Sequence, residues 1–433
     1  MCKLLLTAGL CLITASLASS SRLVCYYNST AGYRAEEGNF RISDIDPNKC
    51  THLIFAFADI ARGNILAPKK TSDLSLYLSF NALKTRNPEL KTLLAVGDTD
   101  RFSRMVARRR RRTNFIESAI TLLRTNGFDG LSLDWWFPAE NRKQKFTQLI
   151  KELRDAFVAE GTSTNNDRLI LIASVSAEKA VIDASYEVAE IAGNLDFINV
   201  LTFDFRGPSE TVAGHHSPLY MGSQDTGDKI HSNTDDALQY WRDQGAPANK
   251  LNLGIASYGR VYTLTGAQSG VGAPVSGAGR EGTYTHMKGL WAYYEICHYL
   301  DGVQVQLITD QKVPYAVVDN QWVGFDNKYS LEAKVNYINT NHFGGVFVWS
   351  LDLDDFGGLF CNNGKYPLIS HLYHLLFSDN FCSGRRDGLH VNPDNPHSFF
   401  SCAHGITYVQ YCPANLIFST YCTCCDYPNR VAP

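Results

Sequence analysis

Short apolar segments alternate with longer amphipathic stretches between residues 22 and 375, and this alternation constrains the fold more than any other feature. Such a pattern predicts parallel β-strands joined by crossover helices. We identify eight strand segments, which are residues 23–27, 53–58, 92–97, 130–136, 169–175, 197–203, 253–258 and 345–351. Eight strands over this length predict an α/β fold, a (β/α)8 TIM barrel, rather than an open sheet. The long Gly- and Tyr-rich interval between the seventh and eighth segments predicts a small α+β insertion.

The fourth strand segment carries one polar face. Because successive side chains of a strand point to opposite sides, Ser132, Asp134 and Trp136 share a face. In such a barrel the functional site lies at the carboxyl ends of the strands. Polar and aromatic residues follow other strands too, at 98–100, 203–206, 258–260 and 349–352. Taken alone, the pattern in the fourth segment also fits a buried strand with a structural aspartate, so its interpretation depends on these other strand ends.

Residues 1–20 combine Lys3, an apolar run from 4 to 17, and small residues before a plausible cleavage point. This pattern predicts a secretory signal peptide, because the apolar run is too short to span a bilayer. We therefore expect a secreted, extracellular protein without membrane association. The formal net charge of −3 becomes −4 when Lys3 is removed, which is too mild to predict nucleic acid as a partner.

Ten of the twelve cysteines lie after the signal segment, an even number that suits an oxidising compartment and permits five disulfides of open connectivity. Four are spread over the long part of the chain, and six crowd the last 52 residues: Cys25, Cys50, Cys297 and Cys361, then Cys382, Cys402, Cys412, Cys422, Cys424 and Cys425. This distribution predicts a large domain followed by a small disulfide-rich domain.

One charge run stands out, the five consecutive arginines from Arg108 to Arg112. The run could contact heparin-like or other acidic polymers. We favour a simpler interpretation, in which the arginines form the solvated first turn of a helix that continues through residues 113–124.

Several segments together resemble the secreted animal chitinases of glycoside hydrolase family 18, the group of acidic mammalian chitinase and chitotriosidase. The segments are residues 23–26, 51–57, 128–138, 217–220, 291–297 and 349–356. The tail from residue 381 resembles the chitin-binding type-2 domain that those enzymes carry. The resemblance implies a signal peptide at 1–20, a chitinase-like barrel at 21–376 and a chitin-binding domain at 381–433, without cofactor or metal.

The family's motif on the fourth strand is DGxDxDWEYP, in which the Glu protonates the glycosidic oxygen while the acetamido group of the substrate attacks the anomeric carbon. Asp129 and Asp134 match this motif, whereas Ser132 replaces the middle Asp and Trp136 replaces the Glu. An indole N–H donates hydrogen bonds but is not an acid at physiological pH. We therefore expect no intact catalytic residue. The nearby carboxylates Asp98, Asp100 and Glu140 are expected to be solvated loop residues.

The resemblance also assigns ligand contacts. It implies that Asp134, Asp204, Tyr258, Arg260 and Trp349 bind substrate in the barrel, with Phe203 in place of a tyrosine that would hydrogen-bond the acetamido oxygen. In the tail it implies that Phe400 and Tyr427 stack on N-acetylglucosamine, although packing is an equal alternative for one of Phe399 and Phe400. The stacking tryptophans that the family places after strands one, three and six are replaced here by Thr30, Thr99 and Ser209.

Asn28-Ser29-Thr30 is the one N-glycosylation sequon after the signal segment, and it follows the first strand, where a glycan would partly obstruct a cleft. The main expectation is a secreted, monomeric, catalytically inactive chitinase-like protein that binds chitin or N-acetylglucosamine oligomers mainly through its tail. Two alternatives remain at this stage. One is an active chitinase that cleaves β-1,4 linkages by substrate-assisted catalysis, and the other is an extracellular interaction protein without a carbohydrate ligand.

Overall fold

The computed structural model describes residues 21–97, 99–138, 140–377, 381–382, 385–392, 396–403, 406–413 and 415–428. The predicted signal segment and Asp98 lie outside these residues. In the described part of the chain, no helix combines the length and apolar character needed to cross a bilayer.

The described strands are β1 (Arg22–Asn28), β2 (His52–Ala61), β3 (Ile65–Pro68), β4 (Lys91–Val96), β5 (Gly130–Leu133), β6 (Ile170–Ser176), β7 (Phe197–Leu201), β8 (Leu251–Ala256), β9 (Tyr258–Leu264), β10 (Val275–Ala278), β11 (Leu290–Ala292), β12 (Gln306–Ile308), β13 (Val313–Val318), β14 (Gln321–Gly324), β15 (Gly345–Trp349), β16 (Gly388–Val391), β17 (Ser398–Ala403), β18 (Ile406–Tyr411), β19 (Ile417–Ser419) and β20 (Cys424–Asp426).

The described helices are α1 (Asp73–Asn81), α2 (Thr99–Val106), α3 (Arg109–Asn126), α4 (Lys143–Thr164), α5 (Lys179–Ser185), α6 (Val188–Asn194), α7 (Thr234–Asp243), α8 (Tyr293–Tyr299), α9 (Lys328–Thr340) and α10 (Pro367–Phe377), with short 3-10 turns between several of them.

Eight parallel strands close into a barrel in the order β1, β2, β4, β5, β6, β7, β8 and β15, and β15 pairs with β1 to complete the ring. The predicted (β/α)8 TIM barrel is therefore confirmed. All four residues of β5 are buried, as expected for a strand covered on both faces. The first residue of β5 is Gly130. A side chain is excluded at this position, because a Cβ there would lie 2.3 Å from the carbonyl oxygen of Ile170 on β6.

Several predicted strands end too late. The fourth was predicted to reach Trp136 and the sixth to reach Phe203, but β5 ends at Leu133 and β7 ends at Leu201. Tyr258 was predicted to end the seventh strand. Instead, β8 ends at Ala256 and Tyr258 begins β9, the first strand of the insertion. The polar residues at these positions therefore lie on the loops that leave the barrel.

The predicted insertion between the seventh and eighth barrel strands is confirmed. Strands β9, β10, β12, β13 and β14 form a sheet, β11 pairs with β9, and α8 lies in the same segment. A disulfide between Cys297 on α8 and Cys361, which follows β15, ties the insertion to the barrel.

The arginine run begins α3, but it is not wholly solvated as predicted. Arg112 is 2% exposed and binds Glu152 on α4 through two hydrogen bonds of 2.8 Å. A third hydrogen bond of 2.8 Å joins its Nη1 to the carbonyl oxygen of Val106. Arg112 is therefore a packing residue between two helices, and the exposed charge of the run belongs to Arg108, Arg109 and Arg110.

The tail forms a separate small domain with a sheet of β16, β17 and β18 and a hairpin of β19 and β20. All ten predicted cysteines pair. Beside the insertion disulfide, the pairs are Cys25–Cys50, Cys382–Cys402, Cys412–Cys425 and Cys422–Cys424. Phe400 contacts His374 on α10 at a ring-centroid distance of 5.9 Å, so this domain packs against the last barrel helix.

Candidate functional site at the carboxyl end of the barrel

Asp134 lies one residue beyond β5 and is 4% exposed. It accepts hydrogen bonds from the Ser132 hydroxyl at 2.5 Å and from the Tyr26 hydroxyl at 2.9 Å. The Tyr26 oxygen is also 2.6 Å from the hydroxyl of Ser174 on β6. Burial raises the pKa of Asp134 to about 6, although these hydrogen bonds favour the carboxylate. A carboxyl group so enclosed has its hydrogen-bonding capacity taken up by the barrel itself.

Asp129, the first acidic residue of the motif, lies before β5 at the opposite end of the strand. It forms an ion pair with Lys84 at 2.9 Å and accepts a 2.7 Å hydrogen bond from the backbone N–H of Thr92. Its role is therefore to hold the start of β5 against β4, away from the cleft.

Trp136, which the sequence resemblance aligns with the family's acid, packs among aromatic rings. Its ring lies 6.2 Å from that of Trp349 in an edge-to-face arrangement, and 6.3 Å from that of Phe57. Its carbonyl oxygen accepts a 2.6 Å hydrogen bond from Tyr186, which holds the segment in place. The indole N–H is buried and makes no hydrogen bond of good geometry among the described residues, although it lies close enough to favour the Asp134 carboxylate.

Trp349 ends β15 and forms the centre of this aromatic group. Phe57 stacks on it at 5.8 Å with an angle of 25° between the rings, and Tyr26 contacts it at 4.9 Å. Offset and edge-to-face contacts of this kind stabilise one another beyond the area they bury. The Trp349 ring is therefore held in position from three sides.

Asp204 lies beyond β7, and the insertion supplies two of its partners. Arg260 binds both carboxylate oxygens, at 2.7 and 2.6 Å, and the Tyr258 hydroxyl donates a hydrogen bond of 2.8 Å. His216 Nδ1 lies 3.4 Å from the carboxylate. Burial would raise the pKa of Asp204, but the bonds from His216 and Arg260 hold it well below its usual range. Asp204 is thus a permanently ionised group that is already paired.

Phe203 precedes Asp204 and is 8% exposed. Its ring packs against Phe347 at 5.8 Å and Tyr258 at 6.2 Å. The side chain has no hydrogen-bonding atom, so this wall of the site is apolar.

A cavity of about 280 Å³ lies at the carboxyl end of the barrel. Its apolar and aromatic lining consists of Trp136, Phe137, Ala177, Leu201, Phe203, Phe205, Tyr258 and Trp349. The other lining residues are Ser176, Glu178 and Asp204. Asp134 does not line the cavity, although Trp136 two residues later does.

The prediction from sequence missed Glu178. It lies two residues beyond the end of β6 and is solvent-exposed at the cavity wall. The available signal was its position, because polar residues directly after a barrel strand point to the functional face. Among the carboxylates that the prediction did consider, Asp100 and Glu140 are exposed and do not line the cavity, and Asp98 lies outside the described residues.

Asn28 ends β1, on the strand face that also carries Tyr26. Its Oδ1 accepts hydrogen bonds from the Thr30 hydroxyl at 2.8 Å and the Thr30 N–H at 3.1 Å. Thr30 and Ser209 are both exposed, and neither presents an aromatic surface. The sequon therefore lies at the carboxyl end of β1, and none of its three residues lines the cavity.

In the small domain, Phe400 is 3% exposed and its ring packs against that of Phe381 at 4.3 Å, which agrees with the packing alternative for this residue. Phe399 stacks on Phe418 at 4.6 Å. Tyr427 is 54% exposed, as a sugar-stacking residue must be. Tyr421 was not predicted, yet it is 95% exposed. The available signal in the sequence was its position directly before Cys422, because disulfides fix short loops on a surface.

The family profile "Glycosyl hydrolases family 18" matches residues 22–354, and "Chitin binding Peritrophin-A domain" matches residues 382–432. Mouse chitotriosidase-1 is 42% identical and aligns over 96% of this chain and 97% of its own. Human chitinase-3-like protein 2 is 43% identical over 83% of this chain and 94% of its own.

Two solved structures place these similarities in three dimensions. The structure of human YKL-39, described as a pseudo-chitinase with retained chitooligosaccharide binding properties, has a TM-score of 0.80 at 43% identity. It covers 83% of this chain and 100% of that one. The Group IV chitinase of Ostrinia furnacalis in complex with allosamidin has a TM-score of 0.77 at 36% identity, over 82% of this chain and 98% of that one.

Proposed function

Because this chain belongs to glycosyl hydrolase family 18 and carries a chitin-binding domain of the peritrophin-A type, we propose that it is a chitinase-like protein without hydrolytic activity that binds chitin or N-acetylglucosamine oligomers mainly through its tail. The observation that carries the proposal is Trp136, an aromatic side chain at the position of the proton donor. YKL-39, a relative of the same fold, is described as a pseudo-chitinase that retains chitooligosaccharide binding.

The loss of the acid is the largest chemical deficit. General acid catalysis contributes about 10²- to 10⁴-fold to rate, and an indole cannot supply the proton. Phe203 adds a second deficit, since removing a preorganised donor to a developing charge costs about 3 to 4 kcal/mol in comparable sites. Ser132 bonds to Asp134 as a neutral hydroxyl, so it does not provide the negative charge that the family's middle Asp would place there.

Glu178 is the remaining carboxylate at the cavity wall that could be considered as a substitute acid. A catalytic acid keeps its proton at neutral pH through burial or a neighbouring negative charge. Glu178 is exposed, and its backbone N–H bonds to Ser176 while its side chain forms no ion pair among the described residues. Its surroundings therefore lack the features that make a carboxyl group a general acid.

A fluorogenic chitobioside assay tests inactivity. We expect no turnover from the unaltered protein and a gain of about 10²- to 10⁴-fold over background in the Ser132→Asp/Trp136→Glu double variant. Adding Phe203→Tyr should raise the rate further. Measurable turnover by the unaltered chain would overturn the proposal, and its loss in Glu178→Gln would then identify the acid.

Sugar binding by the tail rests on Tyr421 and Tyr427, which expose 95% and 54% of their surface on the small disulfide-rich domain. Aromatic faces of this kind stack on the apolar sides of sugar rings. We expect retention on chitin beads to fall in Tyr421→Ala and Tyr427→Ala, and to be nearly lost in the double variant. Tyr33→Ala is the matched control, because Tyr33 is 69% exposed on the barrel. Full retention by the double variant would contradict the assignment.

We further propose that the protein is secreted, is monomeric and carries a glycan at Asn28. Support comes from the signal-like segment and from the pairing of all ten cysteines within one chain, which leaves none of them for an intermolecular disulfide. Sedimentation of secreted protein should give the monomer mass plus one glycan. Thr30→Ala removes the sequon and should remove the glycan mass, whereas Ser29→Ala preserves it. An unmodified Asn28 in secreted material would refute the glycan.

A further inference from the structure

The barrel cavity has a mostly apolar and aromatic lining. Eight of its eleven lining residues are apolar or aromatic, and the rings of Trp136, Phe203, Tyr258 and Trp349 form much of its wall. Small-molecule sites are mostly apolar, with a few placed polar groups that fix orientation. A volume of about 280 Å³ suits a compact ligand.

A sugar ring would find few hydrogen-bond partners in this cavity. Asp134 is enclosed by Tyr26 and Ser132 and does not line it. Asp204 does line it, but Arg260 already binds both of its oxygens. Each buried hydroxyl that is left without a partner weakens binding substantially. A polyhydroxylated ligand is therefore disfavoured relative to an apolar one of the same size.

The Glu178 carboxylate at the cavity wall favours a ligand with a positive charge. Glu178 forms no ion pair among the described residues, whereas the two lysines that line the adjoining pocket with it already have partners. Lys179 binds Asp183 at 3.0 Å, and Lys229 binds Glu210 at 2.7 Å. The Asp204–Arg260 pair is neutral overall. One carboxylate thus remains uncompensated beside aromatic faces, which attract cations through their quadrupoles.

We propose that this cavity binds a small organic cation with an aromatic or alicyclic body and one ammonium group. The body lies against Trp136, Phe203 and Trp349, and the ammonium group lies between Glu178 and the face of an aromatic ring. This function is separate from chitin binding by the tail, and it does not depend on whether the barrel is inactive.

Calorimetric titration of the full chain with three matched probes tests the proposal. 4-Phenylbutylamine, 4-phenylbutan-1-ol and 4-phenylbutyrate share one body and differ in charge. We expect saturable binding of the amine, about three- to thirtyfold tighter than that of the alcohol, and weakest binding of the carboxylate. Quenching of tryptophan fluorescence by the same probes locates the binding to the cavity if it disappears in Trp136→Ala.

Glu178→Gln should reduce the affinity for the amine to that for the alcohol while leaving the alcohol unaffected. Glu190→Gln is the matched control, since Glu190 is an exposed carboxylate on α6 outside the cavity. Far-UV circular dichroism checks that each variant is folded. Absence of saturable binding by any probe, equal affinity for amine and alcohol, or an unchanged amine affinity in Glu178→Gln would overturn the proposal. Chitin-bead retention reports separately on the tail.

Discussion

Asp134 and Trp136 are two residues apart in the chain, yet the barrel places them in different environments. Asp134 is held by Tyr26 and Ser132 within the barrel, while Trp136 contributes its ring to the cavity wall. Trp136 therefore determines the surface of the cavity, whereas Asp134 contributes only to the packing behind it. The Asp134 carboxyl group lies behind Trp136 and is 4% exposed, so its ionisation carries a desolvation cost.

Asp134 should make stability depend on pH. Burial raises its pKa in the folded protein to about 6 from an ordinary value of 3.8, so the protonated form is favoured in the folded state. This stabilisation is fully present below pH 3.8 and is lost as the pH rises through about 6. We expect Asp134→Asn to gain about 3 kcal/mol in unfolding free energy relative to the parent between these limits.

Urea unfolding of parent and variant at a series of pH values measures this difference. Asp243→Asn is the control, because the Asp243 side chain is 62% exposed. If the difference in unfolding free energy between parent and Asp134→Asn stays constant with pH, the pKa of Asp134 is not raised by folding, and the prediction is wrong.

At the scale of elements, the sequence predicts the barrel well because eight apolar segments recur with amphipathic stretches between them. It predicts strand ends poorly. Asp134, Phe203 and Tyr258 were assigned to strands, but each lies just beyond one or begins the next, because apolar composition continues where barrel pairing stops. Glu178 was missed although the end of its strand was predicted to within one residue, because the apolar pattern does not show which loop residues face the cavity.

It is equally hard to predict which residue of the Arg108 to Arg112 run is buried, because the five residues are identical in sequence. Arg112 differs from Arg110 only in its position on α3, yet that position directs it toward Glu152 on α4. Helical periodicity places residues on faces, but the neighbouring helix decides which face is covered. In the tail, Phe400 and Phe399 were likewise indistinguishable until the packing of Phe381 and Phe418 was known.

Arg112→Ala should therefore destabilise the barrel. The variant removes a buried side chain and leaves the Val106 carbonyl oxygen and the Glu152 carboxylate, which is 28% exposed, without this partner. We expect a loss of about 2 kcal/mol in unfolding free energy. Arg110→Ala removes the same side chain from an exposed position and should change stability by less than about 0.5 kcal/mol. Chemical denaturation of both variants makes the comparison. Equal changes in unfolding free energy for Arg112→Ala and Arg110→Ala would mean that Arg112 is as solvent-exposed as Arg110.

The whole molecule combines two domains that are stabilised in different ways. The barrel has an extended apolar core, and its disulfide partners Cys25 and Cys50 are 0% and 3% exposed. The tail has about 50 residues, too few for a sufficient core, and relies on three disulfides. One of these joins Cys422 and Cys424, which are both exposed. The proposed sugar contact of Tyr421 is adjacent to this exposed disulfide.

Mild reduction should consequently abolish chitin binding by the tail while the barrel stays folded. A phosphine reductant reaches the exposed Cys422–Cys424 bond before the buried Cys25–Cys50 bond, so the loop that presents Tyr421 loses its constraint first. We expect chitin-bead retention to fall at reductant concentrations that leave the barrel's near-ultraviolet circular dichroism and its melting temperature unchanged. Thiol alkylation followed by mass spectrometry identifies which cysteines have opened at each step. If retention persists after all three tail disulfides are alkylated, the binding surface does not depend on the folded tail, and the barrel must hold the polymer instead.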